Sequence, residues 1–107
     1  MSAEPITTQT EYAHIVRTEG VVGGEPRIVN TRIRVRDIVL ARDVQAAMPE
    51  EIVATIYPHL TLAQVYSALA YYEDHRDEVN AFQQREHDYL EALHKSPPAF
   101  LEVRRGA

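Results

Sequence analysis

A chain of 107 residues is one domain with room for an arm or tail, and is too short for a two-domain enzyme. At 45% apolar and 25% charged residues it has a globular composition, and the absence of cysteine excludes disulfides, thiolate nucleophiles and thiolate metal sites. The formal charge of −5, taken as a total, argues against a protein that simply coats nucleic acid.

The opening Met1-Ser2-Ala3-Glu4-Pro5 lacks the basic and then apolar run of a signal peptide. The densest apolar stretch, Val65 to Tyr72, falls far short of the ~20 residues that span a bilayer. A cytoplasmic protein without membrane contact is expected.

Residues 1–12 are polar and threonine-rich and read as a flexible N-terminal arm. His14-Ile15-Val16-Arg17-Thr18 is β-rich and runs into turn signals at Gly20, Gly23-Gly24 and Pro26. A second strand pattern follows from Arg27 to Val35. Ile33 and Val35 fall on one face and Arg32, Arg34 and Arg36 on the other. Ile28 is out of phase with them, which calls for a bulge or sharp turn near Asn30-Thr31, and Asn tolerates the positive φ such a turn needs.

Helical spacing then takes over. Ile38, Leu40 or Ala41, Val44 and Ala47 share one face of a helix over about 37–46. Pro49-Glu50-Glu51 starts a short second helix, with Ile52, Val53 and Ile56 on its buried side and Pro58 ending it. Thr61-Leu62-Ala63-Gln64 fits a capping box, flanked by Leu60 and Val65 as a hydrophobic staple. From Leu62 no strong breaker appears before Pro97-Pro98, so this helix either runs to the tail or bends within 73–78. Leu62, Val65, Leu69, Tyr72, Val79, Leu90 and Leu93 fall on one heptad, which Arg76, Gln83 and Glu86 interrupt.

Helix, turn and helix over 50–72 outline a helix-turn-helix, a geometry that serves DNA reading or plain architecture. The helix from Leu62 is apolar and aromatic, with Thr61, Gln64 and Ser67 its polar stripe. It has no Arg or Lys before Arg76, although arginine or lysine on guanine is the commonest specific base contact. The bases lie upstream. Residues 14–42 hold six arginines against three acids, a net +3, whereas residues 43–93 hold ten acids against two arginines, a net −8. Arg32, Arg34 and Arg36 are spaced to meet phosphates or a carboxylate-rich partner; the plain alternative is a solvated strand face. His87, Glu91 and His94 share a helix face at metal-ligand spacing, but a solvent-facing stripe accounts for them better. No nucleophilic triad or phosphate-cradling loop is present in the sequence, and no catalysis is expected.

The stretch from Val22 to Ile38, with Pro49-Glu50-Glu51-Ile52, Tyr57-Pro58-His59-Leu60-Thr61 and Ala68-Leu69-Ala70-Tyr71-Tyr72, resembles the family called domain of unknown function 433. These are small bacterial and archaeal proteins, and the resemblance covers residues 14–80. It implies a homeodomain-like helical unit preceded by short strands. It also implies the antitoxin half of a type II toxin–antitoxin pair, with a PIN-like nuclease toxin as partner. Three positions depart from the family pattern: Asn30 replaces a glycine, Met48 replaces a capping serine, and Arg36 stands where a small polar cap is usual.

The expected fold is therefore mainly α: a homeodomain-like helix-turn-helix over 13–80, preceded by a short β-hairpin and followed by a long C-terminal helix and tail over 81–107. Arg27, Arg32, Arg34, Arg36, Thr61, Gln64 and Ser67 are the candidate contacts to operator DNA. Tyr89, Leu93, Phe100, Leu101, Arg104 and Arg105 are the candidate contacts to the toxin. A homodimer without metal or cofactor is expected. The alternative is a dimeric adaptor that uses its helix-turn-helix only for association.

Overall fold

The computed structural model describes residues 5–96. Three short strands precede four helices: β1 (Thr7–Gln9), β2 (Ile15–Thr18), β3 (Arg27–Ile28), α1 (Val35–Asp43), α2 (Pro49–Glu51), α3 (Leu62–Asp74) and α4 (Arg76–Lys95). A π-helical turn, Ile52–Ile56, extends α2. The fold is mainly α, with a helix-turn-helix behind a small sheet and a long last helix.

The sheet is antiparallel in the order β1-β2-β3, with Thr8 opposite Arg17 and Ile15 opposite Ile28. β1 lies inside the segment read as a flexible arm. Its three residues are polar and exposed, so it carries no hydrophobic alternation; backbone pairing and a Thr7–Thr18 hydroxyl bond of 2.8 Å hold it as an edge strand.

The second strand is much shorter than its sequence pattern. Only Arg27 and Ile28 pair with β2, and the chain then turns through Asn30 at φ 62°, the left-handed conformation expected there. Arg34 returns to bridge Arg27 and at once becomes the N-cap of α1. Asp37 is the cause. Its carboxylate accepts the Arg34 backbone N–H at 2.9 Å and two bonds from the Arg34 guanidinium, so the helix begins at Val35 rather than near residue 37. It also ends early, and Val44 stands 75% exposed in the following loop instead of on the buried face.

Met48 offers α2 no side-chain acceptor, and only Glu51 reaches back, accepting the Met48 N–H at 3.4 Å. The Tyr57 N–H donates five residues back to the Ile52 carbonyl, which widens the last turn and seats Ile52 in the core before Pro58. At Thr61 the capping box forms as expected: Gln64 N–H donates to Thr61 Oγ1 at 3.2 Å and Thr61 N–H to Gln64 Oε1 at 2.9 Å. Leu60 and Val65 are both buried beside it.

One core joins these parts. Ile15 and Ile28 of the sheet, Val35 and Ile38 of α1, Ile52, and Val65 and Ala68 of α3 are all fully buried. The helix from Leu62 stops at Asp74, and after one non-helical residue, His75, α4 sets off in a new direction. The bend falls within the expected 73–78 window, and the 80/81 boundary falls inside α4. No helix among the described residues is long and apolar enough to cross a membrane.

Candidate interaction site

The arginines that alternate in the sequence do not line up in space. Once Arg34 caps a helix and Val35 starts it, the three side chains leave strand geometry altogether. Arg36, 5% exposed, turns into the protein, where its guanidinium makes a two-pronged contact with the buried Glu25: Nε donates to Oε1 at 2.7 Å and Nη2 to Oε2 at 3.0 Å. Its remaining nitrogen, Nη1, reaches α4, donating to Gln83 Oε1 at 3.2 Å and to the Glu86 carboxylate. Arg34 is held by Asp37 at 2.8 Å and lies 3.7 Å from Glu25. Arg27 donates to Thr18 Oγ1 at 2.8 Å and to the Thr31 carbonyl at 3.0 Å, leaving its buried Nε without a partner. Arg32 alone of the four is exposed and free of any ion pair with a described residue. The outward basic stripe is therefore corrected to a structural cluster plus one surface arginine.

The charge division of the sequence is also resolved within the fold. Arg17 pairs with Glu78 at 3.2 Å, Arg36 with Glu86, and Arg42 with Glu73 at 3.4 Å. Cations of the basic N-terminal window thus meet acids of the acidic helical window in the same molecule. Hydrogen bonding from Arg36 holds the Glu86 carboxyl below the usual carboxylate range, and hydrogen bonding from Arg76 does the same for Glu73.

The start of α3 presents a mostly neutral face. Thr61 and Gln64 are engaged with each other in the cap, and Ser67 is half-buried. Around them Leu62, Tyr66 and Met48 are exposed, and the Tyr66 hydroxyl meets Glu50 at 3.4 Å.

A second group forms where the sheet meets the α3–α4 bend. The Tyr71 and His75 rings stack at 4.1 Å with 13° between planes, and Tyr12 stands edge-on to Tyr71 at 5.4 Å. The Tyr12 hydroxyl bonds Asp74, and the Tyr71 hydroxyl donates to Glu78 Oε1 at 2.8 Å. The bond to Asp74 pushes Tyr12 up to about 12, while burial, and then Glu78, raises Tyr71. The i, i+4 spacing of Tyr71 and His75 was a signal for their contact; nothing in the sequence placed Tyr12 against them.

Along α4 the apolar stripe begins in the core and ends in water. Val79 is 2% exposed, Phe82 and Leu93 are half-buried, and Tyr89 and Leu90 are 63% and 56% exposed. Leu90, absent from the expected contact set, belongs to this face. His87 and Glu91 approach only to 3.8 Å and both are mostly exposed. Among the described residues no group of three potential ligands is placed to hold a metal ion. Phe100, Leu101, Arg104 and Arg105 lie outside the described residues.

The arrangement is a sheet-capped helix-turn-helix in which Arg27, Arg34 and Arg36 are held by neighbouring groups and Tyr89 and Leu90 stand exposed on the last helix. The chain belongs to the family described as "Protein of unknown function (DUF433)", whose pattern it matches over residues 15–72, more than half its length. It is similar to a solved member of that family from Anabaena variabilis ATCC 29413, known from a crystal structure at 2.00 Å. The two share 40% sequence identity and a TM-score of 0.58, over 64% of this chain and 65% of the other. No functionally curated protein matches the chain.

Proposed function

We propose that this chain is the antitoxin of a type II toxin–antitoxin pair, a non-catalytic cytoplasmic protein that covers a PIN-like nuclease with the far half of α4 and the residues after it. The observation that carries this reading is the stripe on α4. The same face that buries Val79 against the body continues past the body as Tyr89, Leu90 and Leu93. An apolar helix face without a partner among the described residues suits a groove on another protein, and aromatic and leucine anchors suit its centre. The family resemblance supplies the antitoxin role.

The direct test is the triple variant Tyr89→Ser, Leu90→Ser, Leu93→Ser, titrated against the product of the neighbouring gene, which this reading expects to be PIN-like. Affinity is expected to fall by at least about 100-fold, given hot-spot side chains worth ~2 kcal/mol or more apiece. An unchanged affinity, in a variant that melts where the parent does, rejects α4 as the toxin-binding element.

Operator binding belongs to the same reading, through Thr61, Gln64, Ser67, Arg27 and Arg32; its support is the helix-turn-helix itself. The exposed Met48, Leu62 and Tyr66 favour the alternative, in which that unit serves only for association of an adaptor. Gel shift on the DNA upstream of the gene separates the two. Operator binding predicts a complex that weakens steeply as salt rises, and the adaptor predicts none at physiological salt.

A further inference from the structure

His75 is the single interruption between α3 and α4, at φ −136° and ψ 38°. In an uninterrupted helix its N–H would donate to the Tyr71 carbonyl. Here that N–H donates to the Tyr72 carbonyl at 3.1 Å, and the Tyr71 carbonyl meets the His75 ring nitrogen Nδ1 at 3.0 Å. A carbonyl only accepts, so the ring proton sits on Nδ1 and the imidazole replaces the lost backbone donor. Stacking on Tyr71 and the edge of Tyr12 at 5.8 Å keep the ring in place. The side chain is a splint across the break.

Nothing else in the sequence calls for a break. No glycine or proline lies anywhere from Leu62 to Ser96, and the heptad keeps its register through residue 75, from Leu62, Val65, Leu69 and Tyr72 to Val79, Leu90 and Leu93, with Arg76, Gln83 and Glu86 at its polar positions. A straight helix over 62–95 is therefore open to the chain. It would carry α4 off its own body. The departing contacts are Val79, Glu78 on Arg17 at 3.2 Å and on the Tyr71 hydroxyl at 2.8 Å, the Arg36 bonds to Gln83 and Glu86, and Asn80 on the Tyr72 hydroxyl at 3.1 Å. The surface it would leave is the one where Arg36, Val39, Leu40, Asp43 and Tyr72 face Val79, Asn80 and Gln83 of α4. A second straightened copy offers that same surface, with its own buried arginine aimed at the incoming Glu86.

We propose that the α3–α4 break is a hinge for exchange of α4 between two copies of this chain, and that His75 holds the hinge in the bent, self-docked form. Every α4 contact is remade in the exchanged dimer, so the two forms differ at the hinge and in the entropy of association. This proposal is independent of the toxin.

The test compares the full-length parent with His75→Ala and His75→Gly by size-exclusion chromatography with light scattering over a concentration series. Both variants lose the ring, but alanine favours a straight helix over glycine. With two hinges per dimer, the alanine dimer is expected to be tighter by about 30-fold. Equal dimerisation of the two overturns the proposal. Insertion of three glycines after residue 75 of the alanine variant should return it to monomer; a dimer that survives the insertion is held by surface contact and also overturns it. Should the alanine variant not fold, as judged by loss of a cooperative melt, His75→Lys carries the same expectation, since lysine is also a helix former and lacks the ring.

Discussion

Replacing Arg36 with methionine is expected to cost about 3–5 kcal/mol of folding stability, read from the shift in urea midpoint. Arg36 and Glu25 are both buried, and their two-pronged contact is what makes Glu25's charge tolerable away from water. Without the guanidinium the Glu25 carboxylate keeps only Arg34 at 3.7 Å. Glu86 suffers less, because it is 41% exposed and can turn to solvent. The double variant Arg36→Met, Glu25→Leu should recover most of the loss, since an apolar pair of similar volume removes both desolvated charges together. A single-variant loss below about 1 kcal/mol would put Arg36 in the class of ordinary surface charges. Acid adds a sign. Glu86 is held below its unfolded range, so its contribution is present above that range and fades as pH falls through the folded value. The methionine variant should lack that portion of the acid sensitivity.

The substitution Ile38→Ala is expected to cost about 2–5 kcal/mol, from lost apolar burial and the cavity left behind. Ile38 is fully buried on α1 in the cluster that contains Ile15 and Ile28 of the sheet and Val65 and Ala68 of α3. A shrunken side chain there has sheet and helices on all sides and little freedom to collapse. Leu90→Ala, by contrast, should change stability by no more than about 0.5 kcal/mol, because Leu90 is exposed on the far half of α4. Paired urea titrations check both. A Leu90 variant as damaging as Ile38→Ala would mean that α4 is covered within the free protein.

These two cases mark what was legible in the chain. The capping box at Thr61, the staple of Leu60 and Val65 and the left-handed turn at Asn30 depend on residues near one another in sequence, and each was readable from it; the bend within 73–78 was one of two courses the sequence left open. So was the helical class of the fold. The start of α1 was misplaced because two signals competed: alternation over 32–36 indicated strand, and Asp37, a carboxylate three residues inside a helix start, overrode it. The edge strand β1 was missed because an exposed polar strand has no periodicity to show.

The sequence by itself determined one small helical domain, its local caps and turns, and the segregation of its charges into a basic window of net +3 and an acidic window of net −8. Only the tertiary structure decided where those charges go. Segregation along the chain suggested two faces for two partners. In the folded molecule Arg17, Arg36 and Arg42 meet Glu78, Glu86 and Glu73 across 61, 50 and 31 positions of sequence. The heptad likewise treats Val79 and Leu90 as equals, although one is buried against the body and the other lies beyond its edge. The reason is the same for both. Periodicity and composition report which residues share a face or a segment, whereas burial and pairing depend on which other element arrives at that face. That is set by how β2, α1, α3 and α4 pack together, which no local pattern records.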